Sequence, residues 1–301
     1  MNKLEKIILP TMNPEVAAKE IGCFVIEIIK NAESTGGVIG LSGGVDSTVT
    51  AALVKQAFDI YNKTHDDKLE LFGYMLPSKI NKPDDLVNAI YVAEKLGIDY
   101  KVINIEKKIE SYNDLEDFND NYLKGNLTSE IRANILHHEG RRLKKTVIGT
   151  GNKDEDYGVG YYTLFGDGAV HLNPIGALSK RLVRQMACYL GFDKIAGREP
   201  TAALEPNQTD FKDLGYDYDA VELIIEGKDQ GFSKKQLIHH HQVNLLVKSQ
   251  IKKYETSFGY RKFSTVEQVV DDILDKHIKN ALLKSDIVHP YVPKIILRYD
   301  T

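Results

Sequence analysis

The chain has 301 residues, 42% apolar and 27% charged, with 39 basic against 43 acidic side chains and a formal net charge of −4. That length accommodates one large α/β domain or two small ones, and the composition is that of an ordinary soluble globular protein. The charge balance gives no support for a nucleic-acid partner, no run approaches the ~18 apolar residues of a membrane span, and Pro10 interrupts the N-terminal apolar stretch without a signal-peptide cleavage site, so a cytoplasmic protein is expected.

Asn13-Pro14 reads as an N-cap followed by Pro at the first helical position. Behind it, Val16, Ala17, Ile21, Phe24, Val25, Ile28 and Ile29 recur at three and four, the period of a helix with one buried face. Val38–Leu41 then reads as a short buried strand, Ser42–Ser47 as a Gly-containing loop and Asp46–Asn62 as the next helix. Further strands are expected at Leu69–Leu76, Ile98–Ile105 and Thr146–Gly149, with helices at Asp84–Leu96 and Thr128–Lys144. Glu106–Gly125, rich in Asp, Asn and Glu, reads as a helix-and-loop excursion. Leu178–Leu190 returns to helical periodicity, Arg198–Gly215 has the look of a long lid loop, and the chain from Asp219 onward is helix-rich. Strands alternating with helices are the pattern of βαβ units and a parallel sheet. Cys23 and Cys188 form no CxxC pair, and each reads as a small core hydrophobe. The histidine run His239–His241 reads as a solvated patch, because adjacent helical residues point in different directions.

Chemistry concentrates in GLSGGVDS, Gly40–Ser47, which follows a buried strand and opens a helix. In that setting backbone N–H groups and the helix dipole converge on an anion. Gly43 and Gly44 let the backbone approach a phosphate, and Ser42 and Ser47 add hydroxyls. The segment has neither the Lys-Ser/Thr ending of a Walker A loop nor the spacing of the dinucleotide fingerprint. Asp46 would repel a phosphate unless it holds Mg2+ that bridges to the phosphate oxygens.

SGGVDS resembles the pyrophosphate loop of the N-type ATP pyrophosphatases, and longer blocks narrow the resemblance to the ammonia-dependent NAD synthetases. Val147–Gly191 is similar to the family's GTGNKSE, GDG and L-x-K-x-x-V-R stretch, and Pro200–Glu222 to its PSA…QTDE loop. LPSKINKPDDLVNA (Leu76–Ala89) and NLTSEIRANIL (Asn126–Leu136) extend the likeness upstream. The resemblance implies a three-layer α/β/α fold around a twisted five-stranded parallel sheet of order 3-2-1-4-5. It places an ATP pyrophosphatase unit at residues 1–225 and a helical C-terminal extension of the same domain at 226–301. It implies ATP-dependent amidation of deamido-NAD by ammonia through an acyl-adenylate, with Mg2+ as cofactor and a homodimer as the assembly. By the same resemblance, Gly40, Leu41, Ser42, Gly43, Gly44, Val45, Asp46 and Ser47 would grip ATP together with Thr150, Lys180 and Thr201. Asp46 and Lys180 would be the catalytic pair, Asp46 and Glu155 the metal ligands, and Arg132 and His171 the contacts to the carboxylate-bearing substrate. Counted back from GYYT, Asp156 competes with Glu155 for the metal position, and Glu155 is favoured.

The acceptor half departs from the family. Leu164 stands where many members have Lys, His171 where they have Asp, Glu130 replaces an Arg and Phe211 a Glu. These changes leave the adenylation machinery intact and motivate two alternatives: the same ligation on another carboxylate such as nicotinate mononucleotide, or a homologue that binds ATP without turnover.

Overall fold

An Asn followed by Pro opens a helix because the Asn oxygen caps amides that have no intrahelical partner, while Pro has the first-turn φ built in. In the computed structural model, which describes residues 6–285, 292–295 and the backbone of 298 and 299, the Asn13 side chain accepts from the Glu15 and Val16 amides and α1 runs Pro14–Asn31. Then come β1 (Gly36–Gly40), α2 (Val45–Asn62), β2 (Glu70–Met75), α3 (Pro83–Leu96), β3 (Asp99–Val102), α4 (Asn121–Leu143) and β4 (Thr146–Ile148). All three pairings in this sheet are parallel, in the order β3-β2-β1-β4.

Among the described residues the sheet has four strands rather than the expected five. Where the fifth would lie, Ile148 makes a single parallel bridge to Leu172. His171 donates its amide to Val147 O, but the Val147 amide donates to the His171 Nδ1 instead of to a carbonyl. Pro174 has no N–H with which to lengthen the ladder, so the pairing stops.

Strand side chains alternate as the pleat requires. Ile39, Leu71, Met75 and Ile148 enter one core with α1, α2, α3 and α5 (Lys180–Tyr189), while Val38, Tyr74 and Val147 enter another with Ile131 of α4. A third core joins α6 (Tyr218–Asp229), α7 (His241–Phe258) and α8 (Val266–Asn280) through Val221, Ile224, Val243, Val247, Val270 and Ile273, with Val159 and Ile7 added from elsewhere in the chain. Residues 286–291, 296–297 and 300–301 of the expected extension lie outside the described set. A two-residue antiparallel pairing joins Pro10–Thr11 to Arg298–Tyr299.

Two local expectations change. Helix α4 starts at Asn121, not Thr128, because Asp120 caps it by accepting from the Leu123 amide. Both cysteines are exposed. Cys23 lies two residues from Ile21 and Val25 of the α1 buried face, and Cys188 two from Met186 on α5, which turns each to the solvent side. Among the described residues, no helix is long and apolar enough to cross a membrane.

Candidate active site

Between β1 and α2 the backbone must turn within a few residues. Gly43 does so at φ +79, and a Cβ there would sit 2.2 Å from Asp85 O, so both conformation and space demand glycine. Gly44 caps α2 in an extended conformation without a side-chain cap, which leaves the amide end of the helix open to a ligand. The Ser42 and Ser47 hydroxyls lie 3.0 Å apart, and the Gly44 amide donates to Ser42 Oγ at 3.2 Å. Gly40, Leu41, Ser42, Gly44, Val45, Asp46 and Ser47 line a cleft of about 310 Å3.

Across that cleft, four side chains from three separate segments close a ring. Lys180, 2% exposed at the start of α5, places Nζ 2.7 Å from Asp46 Oδ2 and 2.5 Å from Glu155 Oε1. Asn152 Nδ2 donates to Asp46 Oδ1 at 3.0 Å and to Glu155 Oε2 at 2.7 Å. Burial alone would lower the Lys180 pKa, but Asp46 and Glu155 outweigh it and hold the ammonium well above its ordinary value. Burial also pushes the Glu155 carboxyl up, with Lys180 opposing the shift. Glu155 is carried by a π-helical turn, Lys153–Val159, capped by Asn152. The next residue, Asp156, also lines the cleft but accepts from Asn173 Nδ2 at 3.1 Å, whereas Glu155 shares Lys180 and Asn152 with Asp46. Asp154 accepts from the Lys180 amide at 2.7 Å, and burial with Glu222 nearby pushes its carboxyl up to about 8.

The remaining expected residues divide. Thr150, Thr201 and Arg132 line the same cleft. Thr201 Oγ1 donates to Gln208 O at 2.8 Å, which folds the lid on itself. Arg132 donates to Leu76 O and Asn81 Oδ1, and burial pushes its guanidinium down to about 10. His171 lies at the outer edge of β4, its ring 5.1 Å from that of His137 and its Nδ1 occupied by Val147 N. Neither His171 nor Leu164 belongs to the cleft lining. In the histidine run, His240 is buried and caps α7 by accepting from the Gln242 amide, whereas His239 and His241 are exposed.

Three residues of the site were not singled out from the sequence. Asn152 sits in GTGNKDE and Asp210 in QTD, so both lay inside the resembling blocks without a role. Asp210 accepts from the Ala202 amide at 3.1 Å and from Tyr218 OH at 2.8 Å, and burial pushes it up to about 6 against the pull of Lys180. Arg198, at the root of the lid, donates to Gly43 O at 2.5 Å and to Asp85 at 2.6 Å. It thereby latches the lid onto the glycine turn, a contact between residues far apart in sequence that no local pattern reveals.

These donors fit Mg2+. It binds through one or two carboxylates and completes its shell with phosphate oxygens and water. Asp46 and Glu155 converge beside the amide nest, and among the described residues no cluster of three or more His, Cys, Asp or Glu groups could hold a metal by itself.

A sequence model of the NAD synthase family matches residues 17–263. The NH(3)-dependent NAD(+) synthetase of Staphylothermus marinus is 37% identical over 209 residues, 67% of this chain and 73% of that protein. That of Archaeoglobus fulgidus is 35% identical over 222 residues, 73% of this chain and 86% of that protein. Among solved structures, an NMN synthetase from Francisella tularensis superposes with a TM-score of 0.67 at 28% identity, covering 84% of this chain and 98% of that one. An NH3-dependent NAD synthetase from Campylobacter jejuni gives 0.61 at 24% identity over 84% of this chain and all of that one, a likeness of fold.

Proposed function

The chain belongs to the NAD synthase family, and on that premise we infer that it is a ligase forming a C–N bond, amidating deamido-NAD with ammonia at the expense of ATP. The observation that carries this reading is the buried Lys180 held between Asp46 and Glu155 beside the amide nest of α2. A cation fixed there offsets charge as it develops on phosphate, which is where an adenylating enzyme has most to gain.

The nicotinate carboxylate attacks the α-phosphorus of ATP. The new bond is carboxylate oxygen to phosphorus, the bond to the bridging oxygen breaks, and pyrophosphate departs toward Gly40–Ser47. Ammonia then adds to the acyl carbon, AMP leaves with its phosphate oxygen, and the nitrogen gives up a proton to yield the amide. Thr150 and Thr201 flank the nucleotide and Arg132 faces the acceptor. The lid latched by Arg198 keeps water from the adenylate. Mg2+ held by Asp46 and Glu155 would supply charge neutralisation on the phosphates. His171 lies outside the cleft with its Nδ1 taken by the Val147 amide, so this reading gives it no contact with the acceptor. The family resemblance suggests a homodimer, and the substrates suit a cytoplasmic enzyme.

The test is pyrophosphate release from Mg·ATP and ammonium with deamido-NAD, with nicotinate mononucleotide, and with no acceptor. Release with deamido-NAD accompanied by NAD is expected. Release with the mononucleotide alone would transfer the reading to that acceptor, and silence with both would remove ligase activity from the proposal.

A further inference from the structure

The π-turn that presents Glu155 ends in carbonyls its own backbone does not complete. Tyr161 N reaches Glu155 O at 2.9 Å, but the next carbonyls along are taken from outside the turn. Asp156 O accepts from Asn280 Nδ2 at 2.6 Å, Gly158 O from His277 Nδ1 at 3.0 Å, and Gly160 O from Lys284 Nζ at 2.7 Å. The same Lys284 ammonium donates to Tyr162 O and lies 4.4 Å from the Tyr162 ring centre. A carbonyl can only accept, so His277 carries its proton on Nδ1. The fit is close: Gly160 adopts φ +66, and a Cβ on it would stand 2.6 Å from Asn280 Oδ1. All three donors come from α8 and the turn that follows it, which begin after residue 263, where the family match ends.

We propose that Asn280, His277 and Lys284 form a strut that positions Glu155, making the end of α8 a working part of the active site although it touches neither nucleotide nor acceptor. Wide helical turns have weaker internal bonding than α-helix and recur at functional sites. Here the alternate carbonyls 156, 158, 160 and 162 are each held by a side chain from α8 or the turn that follows it. Asn280 is 4% exposed, and its amide fixes the carbonyl of the residue directly after Glu155. A slack turn would let the Glu155 carboxyl drift from Asp46 and Lys180, and an outer-shell loss of this kind costs about 10- to 100-fold in activity. Asn280, His277 and Lys284 are thus positioning residues, and the inference rests on the role proposed above for Glu155.

The experiment uses full-length protein carrying Asn280→Ala or Lys284→Met, with Lys284→Arg as the conservative variant. Asp272→Asn serves as a control on the same helix, since the Asp272 carboxylate accepts from Tyr216 OH and Lys276 Nζ rather than from the π-turn. Hydrogen exchange of residues 153–161 is followed without ligands, and kcat and KM for ATP are measured separately. Asn280→Ala and Lys284→Met should speed exchange in the turn and lower kcat by about 10-fold or more while KM for ATP holds, and Lys284→Arg should recover both. Asp272→Asn should lower the thermal midpoint without either effect. Unchanged exchange in Asn280→Ala, or a kcat loss in Asp272→Asn matching that of Asn280→Ala, would overturn the strut. Glu155→Gln is assayed alongside. Full turnover in that variant removes the role of Glu155 and the strut with it, whereas an inactive Glu155→Gln beside a fully active Asn280→Ala removes the strut alone.

Discussion

Glu155 and Asp156 are neighbours in sequence, both are carboxylates, and burial raises the pKa of both. Their contacts separate them. Glu155 meets Lys180 at 2.5 Å, whereas Asp156 rests on Asn173 and has Gly151 packed against it. An asparagine at 156 keeps the shape of the aspartate side chain and an oxygen that can accept from Asn173 Nδ2. Asp156→Asn should therefore retain turnover within a few-fold. Glu155→Gln removes the charge opposite Lys180 and should slow pyrophosphate release by on the order of 100-fold. Stopped-time pyrophosphate assays at saturating ATP decide it, and the reverse ranking would hand the metal position to Asp156. The sequence left these two open for a plain reason. Counting from either flank of NKDEDYG gives a different answer, because a π-turn accommodates one more residue than an α-turn would.

The elements were legible to different depths. Asn13-Pro14, the period of α1 and the apolar runs of β1 and β2 are local signals, and the helix and strands stand where those signals lie. The Gly40–Ser47 loop was legible for the same reason, since its strand, turn and helix are contiguous. The missing fifth strand was not, because its absence is decided by a side chain competing for a backbone amide across the sheet. His171 accepts from Val147 N, a bond that only a neutral Nδ1 can make. Burial, and then His137 beside it, pushes the His171 pKa below the ordinary 6.5. The folded protein thus refuses a proton that the unfolded chain takes up. Stability tied to this imidazole is fully present above pH about 6.5 and is lost as pH falls through the lowered folded value. His171→Asn keeps an acceptor for Val147 N without a titrating group. Thermal midpoints between pH 7 and pH 5 should fall more steeply in the natural protein than in His171→Asn, and parallel slopes would show that the imidazole carries no such linkage.

At the scale of the molecule, the sheet with its Gly40–Ser47 loop and the helical core of α6, α7 and α8 could in principle melt apart, since each has its own apolar cluster. Two ion pairs oppose that. Glu222 and Glu226 lie one turn apart on α6, both 3% exposed. Glu222 holds Arg181 at 2.7 Å through two parallel bonds, and Glu226 holds Lys153 at 2.5 Å. Arg181 follows Lys180 on α5, and Lys153 opens the π-turn that carries Glu155, so both partners sit beside the ring of Asp46, Asn152, Glu155 and Lys180. Removing one member of a buried pair leaves the other uncompensated. Because Arg181 is about a third exposed, Glu222→Leu should cost roughly 2–3 kcal/mol, less than a fully buried pair. Replacing both partners with apolar side chains discards the stranded charge, so Glu222→Leu with Arg181→Met should regain much of that loss. Calorimetry of the natural protein should show one transition in which adenylation activity and structure disappear together. In Glu222→Leu the helical core should loosen first, and activity should vanish with it while the sheet still stands, because Glu155 is held from that side. If activity instead survives until the sheet melts, the helical core does not govern the catalytic geometry, and its link to the site is mechanical only.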